Sequence, residues 1–502
     1  MNIKIKCGSA LQEPSDLLVV SQLKGAKTWH ASVAEIDRAL DGEFLQTLTR
    51  DQYEAKFGEW VVFPASQKIT PKKVAVMGLG TKERLTLDDL RKIGGALIRR
   101  ARDCKAKTIS LFLPAEDILE ISVQDMTEAL VEGLYLSAYR FHAYKGKMAE
   151  QLEKHEIESV TIFASSKARM AQMERGAVLS RVLSDATIFA RDLVNTPSAH
   201  MKPLDLADAA KKVASVKGSG ISIKILDQEA MEQLGMDAAL AIARGSVNPP
   251  VGVHLIYKPK EAAKKKIALV GKAVTFDSGG LSLKSAEGMA TMKTDMAGAA
   301  AVIGLFQSLS TLRPKAEIHG IFLAVENMPS GSACRPGDVV KAMNGTTIEI
   351  LNTDAEGRVT LADALSYAET LKPDAIVELS TLTGACIVAL GEDIAGFMGN
   401  DAKLCQKIRE AAYRSGESAW ELPLYHPYDE MVHSKVADLK NTGGRVGGTI
   451  TAGLFLSHFV EKTPWVHIDI AGPSYAEREV RPDQPCGGTG FGVRLLARYL
   501  QG

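Results

Sequence analysis

The chain has 502 residues, of which 46% are hydrophobic and 24% charged, and this composition excludes disordered, collagen-like and coiled-coil proteins. At about 150 residues per domain, the length predicts two to three domains. The 60 basic residues balance the 60 acidic residues, so the net charge gives no sign of a nucleic-acid partner.

Cysteine usage and hydropathy predict the cellular compartment. The six cysteines lie far apart without a CxxC pair, which argues against a disulfide framework and a thiolate zinc site. The N-terminal segment MNIKIKC lacks the apolar core of a signal peptide, and no run of about 18 apolar residues predicts a membrane span. We therefore expect a cytoplasmic protein with no membrane partner.

The first third of the chain has the pattern of an α/β domain, because short β-rich runs alternate with helical patterns up to about residue 165. These runs are IKIKC, DLLVV, WVVFPA, KKVAVMGLG, TISLFLPA and SVTIFAS. The GLG segment at 78–80 follows a strand, but it lacks the third glycine of a GxGxxG nucleotide motif. We interpret it as a turn.

Residues 167–195 have apolar positions at helical spacing without proline, which predicts one long helix that ends near Asn195. Strands and helices then alternate again, and runs such as IALV and IVEL are typical of strands in a largely parallel sheet. The predicted fold class is α/β, with two α/β domains joined by a long helix. In the C-terminal domain we expect a mostly parallel sheet flanked by helices. The predicted boundaries are 1–166, 167–196 and 197–502.

The segment GKAVTFDSGGLSLK is the first of three polar clusters in the second domain. It predicts a strand that contains Lys272, ends at Asp277, and is followed by two glycines and Lys284. Paired glycines after a carboxylate let the backbone approach a ligand closely. A tight turn with a solvent-exposed lysine is the alternative.

The second cluster, MKTDMAGAAAVIGLFQSL, places Asp295 just before a helix of small and apolar residues. An aspartate at this position is most often a helix N-cap, which satisfies free backbone N–H groups. Taken alone, this cluster therefore predicts a cap rather than a ligand.

The third cluster, EILNTDAEGRVTLADAL, predicts a strand, then Asp354, Glu356 and Arg358, then a helix from about Thr360. In an extended segment these three side chains lie on one side. Carboxylates this close repel each other unless a cation lies between them. A metal ion explains them better than one arginine does, and a salt-bridged loop is the alternative.

The three clusters together give four candidate carboxylate ligands, Asp277, Asp295, Asp354 and Glu356, and no histidine. Such oxygen-rich ligation suits Mg²⁺ or Mn²⁺ and also permits Zn²⁺. Four carboxylates exceed the need of one catalytic ion, so we infer two ions about 3.5–4 Å apart. Such a site activates water and polarises a carbonyl or phosphoryl oxygen. Hydrolysis is the predicted reaction class, with phosphate-ester hydrolysis still open at this point.

Five segments in this order resemble the leucine aminopeptidase family of two-metal exopeptidases. They span about residues 270–391 and are VGKAVTFDSGGLSLK, MKTDMAGAAAV, NMPSGSACRPGDV, NTDAEGRVTLADAL and TLTGACIVALG. The N-terminal domain resembles the family only in size and α/β character. Ala273 and the pair Val359-Thr360 depart from the common pattern at positions that are not expected ligands.

The resemblance implies a set of metal ligands. One ion would be held by Asp277, Asp354 and Glu356, and the other by Lys272, Asp277, Asp295 and Glu356. A lysine ligand must be neutral, so the resemblance implies that two dications strongly lower the pKa of Lys272.

The resemblance also implies roles for residues that do not bind metal. Lys284 would stabilise the oxyanion of the tetrahedral intermediate, and Arg358 would hold a bicarbonate that acts as the general base. Asn352 would support the metal ligands. The pocket for the first side chain of the substrate would be bordered by Met292, Thr381, Leu382 and Gly384.

The function implied by the resemblance is that of a metal-dependent aminopeptidase that removes leucine-like N-terminal residues from peptides. Its cofactors would be two divalent ions per subunit, Mn²⁺ or Zn²⁺ with Mg²⁺ as a further candidate. The resemblance further implies a homohexamer, with an assembly or regulatory role for residues 1–166 and catalysis by residues 197–502. Two alternatives stay open, an additional DNA-binding architectural or regulatory role and a specialised dipeptidase for substrates such as cysteinylglycine.

The histidines have structural interpretations. His319 and His467 lie in apolar strand patterns and are predicted to be core or hydrogen-bonded residues, while His426 and His433 lie in a loop-rich stretch. The chain contains no HExxH motif of a one-zinc protease.

Overall fold

A computed structural model describes residues 1–65, 67–113, 121–149 and 156–502. The chain forms two compact units, the first from residues 1–184 with 478–485 and the second from residues 185–477 with 486–502. The last two residues of the predicted run TISLFLPA, Pro114 and Ala115, lie outside the described residues. The long predicted helix is present as Lys167–Asn195, so it contributes residues to both units.

The first unit contains a six-stranded sheet in the order β1-β6-β5-β2-β4-β3, in which every neighbouring pair is parallel except β3 with β4. The strands are β1 (Asn2–Cys7), β2 (Leu17–Gln22), β3 (Trp60–Pro64), β4 (Lys73–Gly78), β5 (Thr108–Phe112) and β6 (Ser159–Ala164). The helices are α1 (Ala31–Ala39), α2 (Glu43–Arg50), α3 (Leu87–Asp103), α4 (Val123–Ala138) and α5 (Lys167–Asn195).

Local sequence explains these elements. The strand LLVVSQ is buried at every position, as expected for a central strand covered on both faces. Helix α3 begins with a capping box, in which Thr86 accepts from the backbone of Asp89 and the Asp89 side chain accepts from the backbone of Thr86. The α/β prediction for this region is confirmed.

The second unit contains a mixed sheet in the order β16-β15-β18-β14-β9-β11-β8-β7, and β10 pairs with β11 beside this path. The described strands of this unit are β7 (Ile221–Leu226), β8 (Val251–Tyr257), β9 (Lys266–Gly271), β10 (Ala273–Asp277), β11 (Glu317–Asn327), β12 (Val339–Lys341), β13 (Thr347–Glu349), β14 (Ala375–Ser380), β15 (Ala395–Gly399), β16 (Ala419–Glu421), β17 (Leu439–Lys440), β18 (Trp465–Asp469), β19 (Tyr475–Ala476) and β20 (Gly487–Gly488). Its helices are α6 (Pro203–Ala214), α7 (Gln228–Gln233), α8 (Asp237–Ala243), α9 (Ala286–Met289), α10 (Ala297–Leu312), α11 (Glu356–Thr370), α12 (Gly384–Leu390), α13 (Ala402–Ser415), α14 (Gly448–Ser457) and α15 (Val493–Gln501).

The centre of this sheet is parallel, because β9, β10, β11, β14 and β18 run in the same direction. The edges are antiparallel where β8 meets β11 and where β15 meets β18. The carboxyl ends of the five central strands therefore lie along one edge of the sheet, where open α/β folds bind their ligands.

The predicted strand that contains Lys272 is interrupted at this residue, which separates β9 from β10. The backbone N–H of Lys272 donates to Leu379 at 3.0 Å, and its carbonyl accepts from Ala299 at 2.9 Å. Strand β9 pairs with both β14 and β11, whereas β10 after the break pairs with β11 alone and carries Asp277 to the sheet edge.

One stretch of the described chain, Ala286–Leu312, is long and apolar enough to cross a membrane by composition. In its apolar window 78% of the residues are buried inside the fold, and α10 buries Val302 and Phe306 completely. These properties are those of a core helix packed on a sheet.

Candidate metal centre

A cavity of about 290 Å³ opens at this edge of the sheet in the second unit. All but one of the predicted site residues line it, namely Lys272, Asp277, Lys284, Met292, Asp295, Asp354, Glu356, Arg358, Thr381, Leu382 and Gly384. The exception is Asn352, whose side chain accepts from the backbone N–H of Asp354 at 3.0 Å and so helps to orient that residue.

Lys272 lies at the bottom of the cavity with 3% of its side chain exposed. Its Nζ atom lies 2.7 Å from Asp295 Oδ1 and 2.9 Å from Glu356 Oε1, and it donates to the Thr381 carbonyl at 3.1 Å. The alternative of a solvent-exposed strand lysine is therefore wrong. The space around this ammonium group is filled, since a Cβ atom on Gly357 would lie 2.5 Å from Nζ.

Asp277 ends β10 and is held from two sides. Its Oδ1 accepts from the Gly279 N–H at 2.9 Å and from Asn327 Nδ2 at 2.8 Å, while Oδ2 lies 2.8 Å from Lys284 Nζ. Gly279 has φ +85°, and a Cβ there would lie 2.7 Å from Asp354 Oδ1. The glycine is needed both for the turn and for the close approach to the carboxylate.

Asp295 is not a helix cap, contrary to what its position alone predicted. Helix α10 begins at Ala297, and its N-cap residue Met296 makes no side-chain capping bond. Asp295 instead points into the cavity, where its Oδ1 accepts from Lys272 Nζ and from Thr381 Oγ1 at 2.7 and 2.8 Å.

The third cluster is less extended than expected. The strand before it is only Thr347–Glu349, and α11 begins at Glu356 rather than near Thr360. Asp354 therefore lies in the turn before the helix, and Glu356 and Arg358 lie in its first turn. The three side chains still meet at the cavity because the first turn of α11 opens onto it.

Burial and mutual repulsion perturb the carboxylates. Burial raises the pKa of Asp295 well above its ordinary value, and the charges of Glu356 and Asp277 raise it further against the opposing effect of Lys272. Burial and the Glu356 charge likewise raise the pKa of Asp277, despite Lys284. A group of carboxylates that cannot all ionise without cost is typical of a functional site.

The cationic residues respond in opposite ways. Burial favours neutral Lys272, but Asp295, Glu356 and Asp277 outweigh this effect and raise its pKa. A lysine that ligates a metal must have a lowered pKa. The positive charge of bound dications would lower the pKa of Lys272, whereas the carboxylates alone raise it. Burial lowers the pKa of Arg358 to about 10, so its guanidinium remains charged at neutral pH.

The donor set fits divalent cations. Oxygen atoms of Asp277, Asp354 and Glu356 lie within 4.8 Å of one another, as three ligands of one ion must. Buried Asp295 Oδ2 and Glu356 Oε2 have no hydrogen-bond partner among the described residues. Buried acceptors without donors are costly, and ligation of a cation would satisfy both.

Two residues that support the site were missed by the sequence analysis. Asn327, at the end of β11, is 4% exposed and donates both to Asp277 and to the Thr353 carbonyl. Asp469, at the end of β18, is fully buried and accepts from Thr383 Oγ1 and the Leu382 N–H. Both residues come directly after apolar strand runs. Their position at the carboxyl end of a strand was the only feature of the sequence that could have predicted their role.

The structural interpretation of two histidines is confirmed. His467 is buried beside Glu378, and His319 is 5% exposed and hydrogen-bonded to His254. His426 is exposed in a short 3₁₀ helix, His426–Met431, and His433 follows that helix.

Family models match both parts of the chain. The catalytic domain of the cytosol aminopeptidase family matches residues 188–497, and its N-terminal domain matches residues 19–148. The chain belongs to the cytosol aminopeptidase family. It is therefore a metal-dependent aminopeptidase, a hydrolase that acts on peptides. The match to the N-terminal family model extends the resemblance into a region where the sequence analysis found only a similar size and fold class.

Relatives of this family member span its full length. It is 41% identical to a probable cytosol aminopeptidase of Persephonella marina, with 100% of this chain and 99% of the relative covered. It is 43% identical to a probable cytosol aminopeptidase of Thermosynechococcus vestitus, with 97% and 96% covered.

Solved structures support the same fold. A mutant of tomato leucine aminopeptidase is 34% identical and superposes with a TM-score of 0.88, covering 100% of this chain and 96% of that chain. The bottromycin maturation enzyme BotP in complex with Mn is 34% identical with a TM-score of 0.85, covering 97% and 99%. The predicted fold class is confirmed, and a divalent metal is a cofactor of this aminopeptidase.

Proposed function

We propose that this aminopeptidase removes leucine-like residues from the N-termini of peptides with the help of two divalent ions in the cavity of the second unit. The observation that carries the proposal is the convergence of four carboxylates with Lys272 and Lys284 on one cavity, with buried carboxylate oxygens left unpartnered among the described residues. Mn²⁺ and Zn²⁺ are the ions we favour, with Mg²⁺ as a further candidate. BotP in complex with Mn supports manganese.

The residues divide into two ligand sets. Asp277, Asp354 and Glu356 would hold one ion. The other ion would be held by Lys272, Asp277, Asp295 and Glu356, so Asp277 and Glu356 would belong to both sets. When bound, the two ions would activate a water molecule and polarise the scissile carbonyl. Asn327 and Asn352 would keep Asp277 and Asp354 in position, since both are hydrogen-bonded to those residues.

Asp295 would also recognise the substrate's free α-amine. Its Oδ1 is occupied by Lys272 and Thr381, whereas its buried Oδ2 has no partner among the described residues. An amine bound at this carboxylate fixes the first residue of the peptide at one end of the cavity. Cleavage would then be restricted to the first peptide bond, because a blocked amine could not occupy that end.

Lys284 is suited to stabilise the negative charge that develops on the carbonyl oxygen. Partial burial favours its neutral form, but Asp277 and Asp354 outweigh this and raise the pKa of Lys284. The side chain therefore stays protonated at neutral pH, and it is 17% exposed on the cavity wall. A fixed ammonium group at this position costs no reorganisation during the reaction.

Arg358 is suited to hold a bicarbonate that accepts the proton of the attacking water. Its buried Nε atom has no hydrogen-bond partner among the described residues, and the guanidinium faces the cavity. A small oxyanion would satisfy that donor, and bicarbonate bound there would act as the general base.

The first side chain of the substrate would contact Met292 and Leu382, with Thr381 and Gly384 at the border. Ile387 also lines this part of the cavity. These apolar side chains favour leucine-like residues over charged ones by the cost of burying a charge without a partner.

Assembly and location complete the proposal. We favour a cytoplasmic homohexamer in which residues 1–166 serve assembly or regulation and residues 197–502 carry catalysis. Exposed apolar side chains of the second unit, such as Val388, Trp420 and Val446, are available for further contacts between copies beside those made by residues 1–166. Light scattering on the purified protein would show a mass six times that of the chain, and a monomer would contradict the hexamer.

The deciding experiment measures hydrolysis of leucine p-nitroanilide after the protein is stripped with chelator and resupplied separately with Mn²⁺, Zn²⁺ or Mg²⁺. We expect metal-dependent release and a ranking of the three ions. An N-acetylated leucine substrate is the matched control, and efficient cleavage of it would contradict recognition of the free amine. Dipeptides such as cysteinylglycine, tested in parallel, would show a specialised dipeptidase.

A further inference from the structure

We propose that Asp429, His433 and His458 form an additional metal-binding site for a zinc-type divalent ion, apart from the cavity of the metal centre. None of the three residues lines that cavity. They come from two segments of the second unit, the 3₁₀ helix His426–Met431 with the residues after it and the C-terminal end of α14.

The distances match a tetrahedral zinc site. His433 Nε2 lies 3.2 Å from Asp429 Oδ2, and His458 Nε2 lies 2.8 Å from Asp429 Oδ1. One ligand atom from each residue can be chosen so that all three lie within 4.8 Å of one another. Zinc bonds of about 2.0–2.1 Å place neighbouring tetrahedral ligand atoms about 3.3 Å apart, and each histidine nitrogen lies 2.8–3.2 Å from one oxygen of the carboxylate.

The arrangement of the rings supports a shared ion. Both histidines point the same nitrogen, Nε2, at one carboxylate, and their ring planes cross at 80° with centroids 5.8 Å apart. Perpendicular imidazoles with converging nitrogens are compatible with two ligands of a tetrahedral ion. The competing explanation is a metal-free pair of hydrogen bonds to the carboxylate, and the experiment below separates the two.

The types of ligand atom determine which ion the site prefers. Two imidazoles and one carboxylate favour Zn²⁺ over Mg²⁺ and Mn²⁺, which prefer oxygen ligands. The cavity of the metal centre has no histidine, so the two sites differ in chemistry. Three protein ligands leave a fourth position, and side-chain exposures of 30–43% let water reach it.

Backbone contacts already hold the three residues in place. Val432 is fully buried next to His433, its N–H donates to the Asp429 carbonyl at 2.9 Å, and its carbonyl accepts from Lys440 at 2.8 Å. His458 follows the last turn of α14, and its carbonyl accepts from Asn344 Nδ2 at 3.4 Å. An ion at this site would therefore link the 3₁₀ helix to the end of α14 with little rearrangement of either segment.

The spacing also provides a sequence signal. Asp429 and His433 are four residues apart, a separation that brings side chains together on a turn of helix, and His458 lies 25 residues further on. No short motif joins the three residues, so the sequence analysis identified His433 only as a histidine in a loop-rich stretch.

The test counts zinc on the full-length protein. Chelator-stripped wild type is incubated with Zn²⁺, desalted and analysed by elemental mass spectrometry, beside His433→Gln and His458→Gln. We expect each variant to hold up to one ion fewer per chain than wild type after desalting, since loss of one of three ligands should cost more affinity than the about 10- to 100-fold lost with an outer-sphere partner. The readout is a difference, so it does not depend on how many ions the metal centre holds.

His426→Gln is the matched control, because this exposed histidine lies in the same 3₁₀ helix outside the cluster. It should keep the wild-type zinc count, and all three variants should keep Mn²⁺-dependent activity. Equal zinc counts in wild type and both cluster variants would overturn the proposal and leave a metal-free hydrogen-bonded cluster. Where a histidine variant unfolds by circular dichroism, Asp429→Asn replaces it, and a full wild-type count in that variant would also overturn the proposal.

Discussion

The two units share an α/β architecture, but their buried charged side chains are arranged differently. In the first unit, Arg91 on α3 and Glu132 on α4 form an ion pair at 2.6 Å with each side chain 1% exposed. In the second unit, four carboxylates face three cationic side chains around a cavity at the ends of strands. One arrangement ties two helices together, and the other leaves oxygen atoms available to a ligand.

The ends of the strands differ in the same way. In the first unit, Gly78 ends β4 against the backbone, since a Cβ there would lie 2.1 Å from the Lys56 carbonyl oxygen. In the second unit, Asp277 ends β10 beside open space. Gly78 is therefore the last residue of β4, at a position without room for a side chain, and the interpretation of the GLG segment as a turn stays a prediction. A parallel sheet offers the place for a site, and only polar residues with room beside them make one.

The largest expected effect on activity comes from removing a carboxylate from the cavity. Asp354→Ala or Glu356→Ala should lower kcat/KM by about 1,000-fold or more, because metal catalysis supplies several kcal/mol of transition-state stabilisation. Bound metal should fall in parallel in elemental analysis. Glu287→Ala is the control, because this exposed carboxylate does not line the cavity. A fully active variant that keeps its metal would contradict the assigned ligands.

The ion pair of the first unit should affect stability and not catalysis. Arg91→Ala removes one member of a buried ion pair and should lower the free energy of unfolding by about 3–5 kcal/mol. Thermal unfolding measures this loss, while kcat per folded chain should be unchanged. The double change Arg91→Met with Glu132→Leu should recover most of the stability, and failure to do so would mean that the pair itself is required.

Lys284→Ala tests a cavity cation that is not a metal ligand. We expect kcat to fall by about 100- to 1,000-fold, since one preorganised oxyanion donor is typically worth that much. The metal content should remain that of wild type. Unchanged kcat would exclude the oxyanion role, and loss of metal would indicate that Lys284 mainly organises Asp277 and Asp354.

A buried carboxylate outside both charge clusters makes the stability of the protein depend on pH. Asp363 accepts from the Ala239 and Met343 N–H groups, and burial raises its pKa to about 7 from an ordinary value of 3.8. The folded state holds this proton where the unfolded chain has lost it. The contribution of Asp363 to stability therefore falls as pH rises from about 4 to about 7, with a slope of at most about 1.4 kcal/mol per pH unit.

Thermal unfolding of Asp363→Asn against wild type across this pH window measures that slope. We expect the variant to be less stable at low pH and to show a flatter pH dependence. Glu287→Gln is the control and should follow the wild-type curve. A variant with the wild-type slope would assign the pH dependence to other groups.

Local patterns predicted the α/β fold and most of the charged cavity residues, whereas Met292, Thr381, Leu382 and Gly384 were implied only by the family resemblance. Lys272, Asp277 and Asp354 lie in short motifs at strand ends, and the structure brings them together. Asn327 and Asp469 were out of reach because each is a single polar residue after an apolar strand, and only the strand order brings them to the same edge. The early start of α11 at Glu356 was missed because a helix N-terminus rich in charged residues has the same composition as a loop.

The tight contact between Gly357 and Lys272 bears on how this enzyme can be engineered. A Cβ atom at position 357 would lie 2.5 Å from the lysine nitrogen, so a side chain there requires Lys272 to shift. Met292, Leu382 and Ile387 also line the cavity and are not among the proposed metal ligands. Directed evolution of substrate preference should therefore accumulate changes at these three positions, while substitutions at position 357 should lower activity by displacing Lys272.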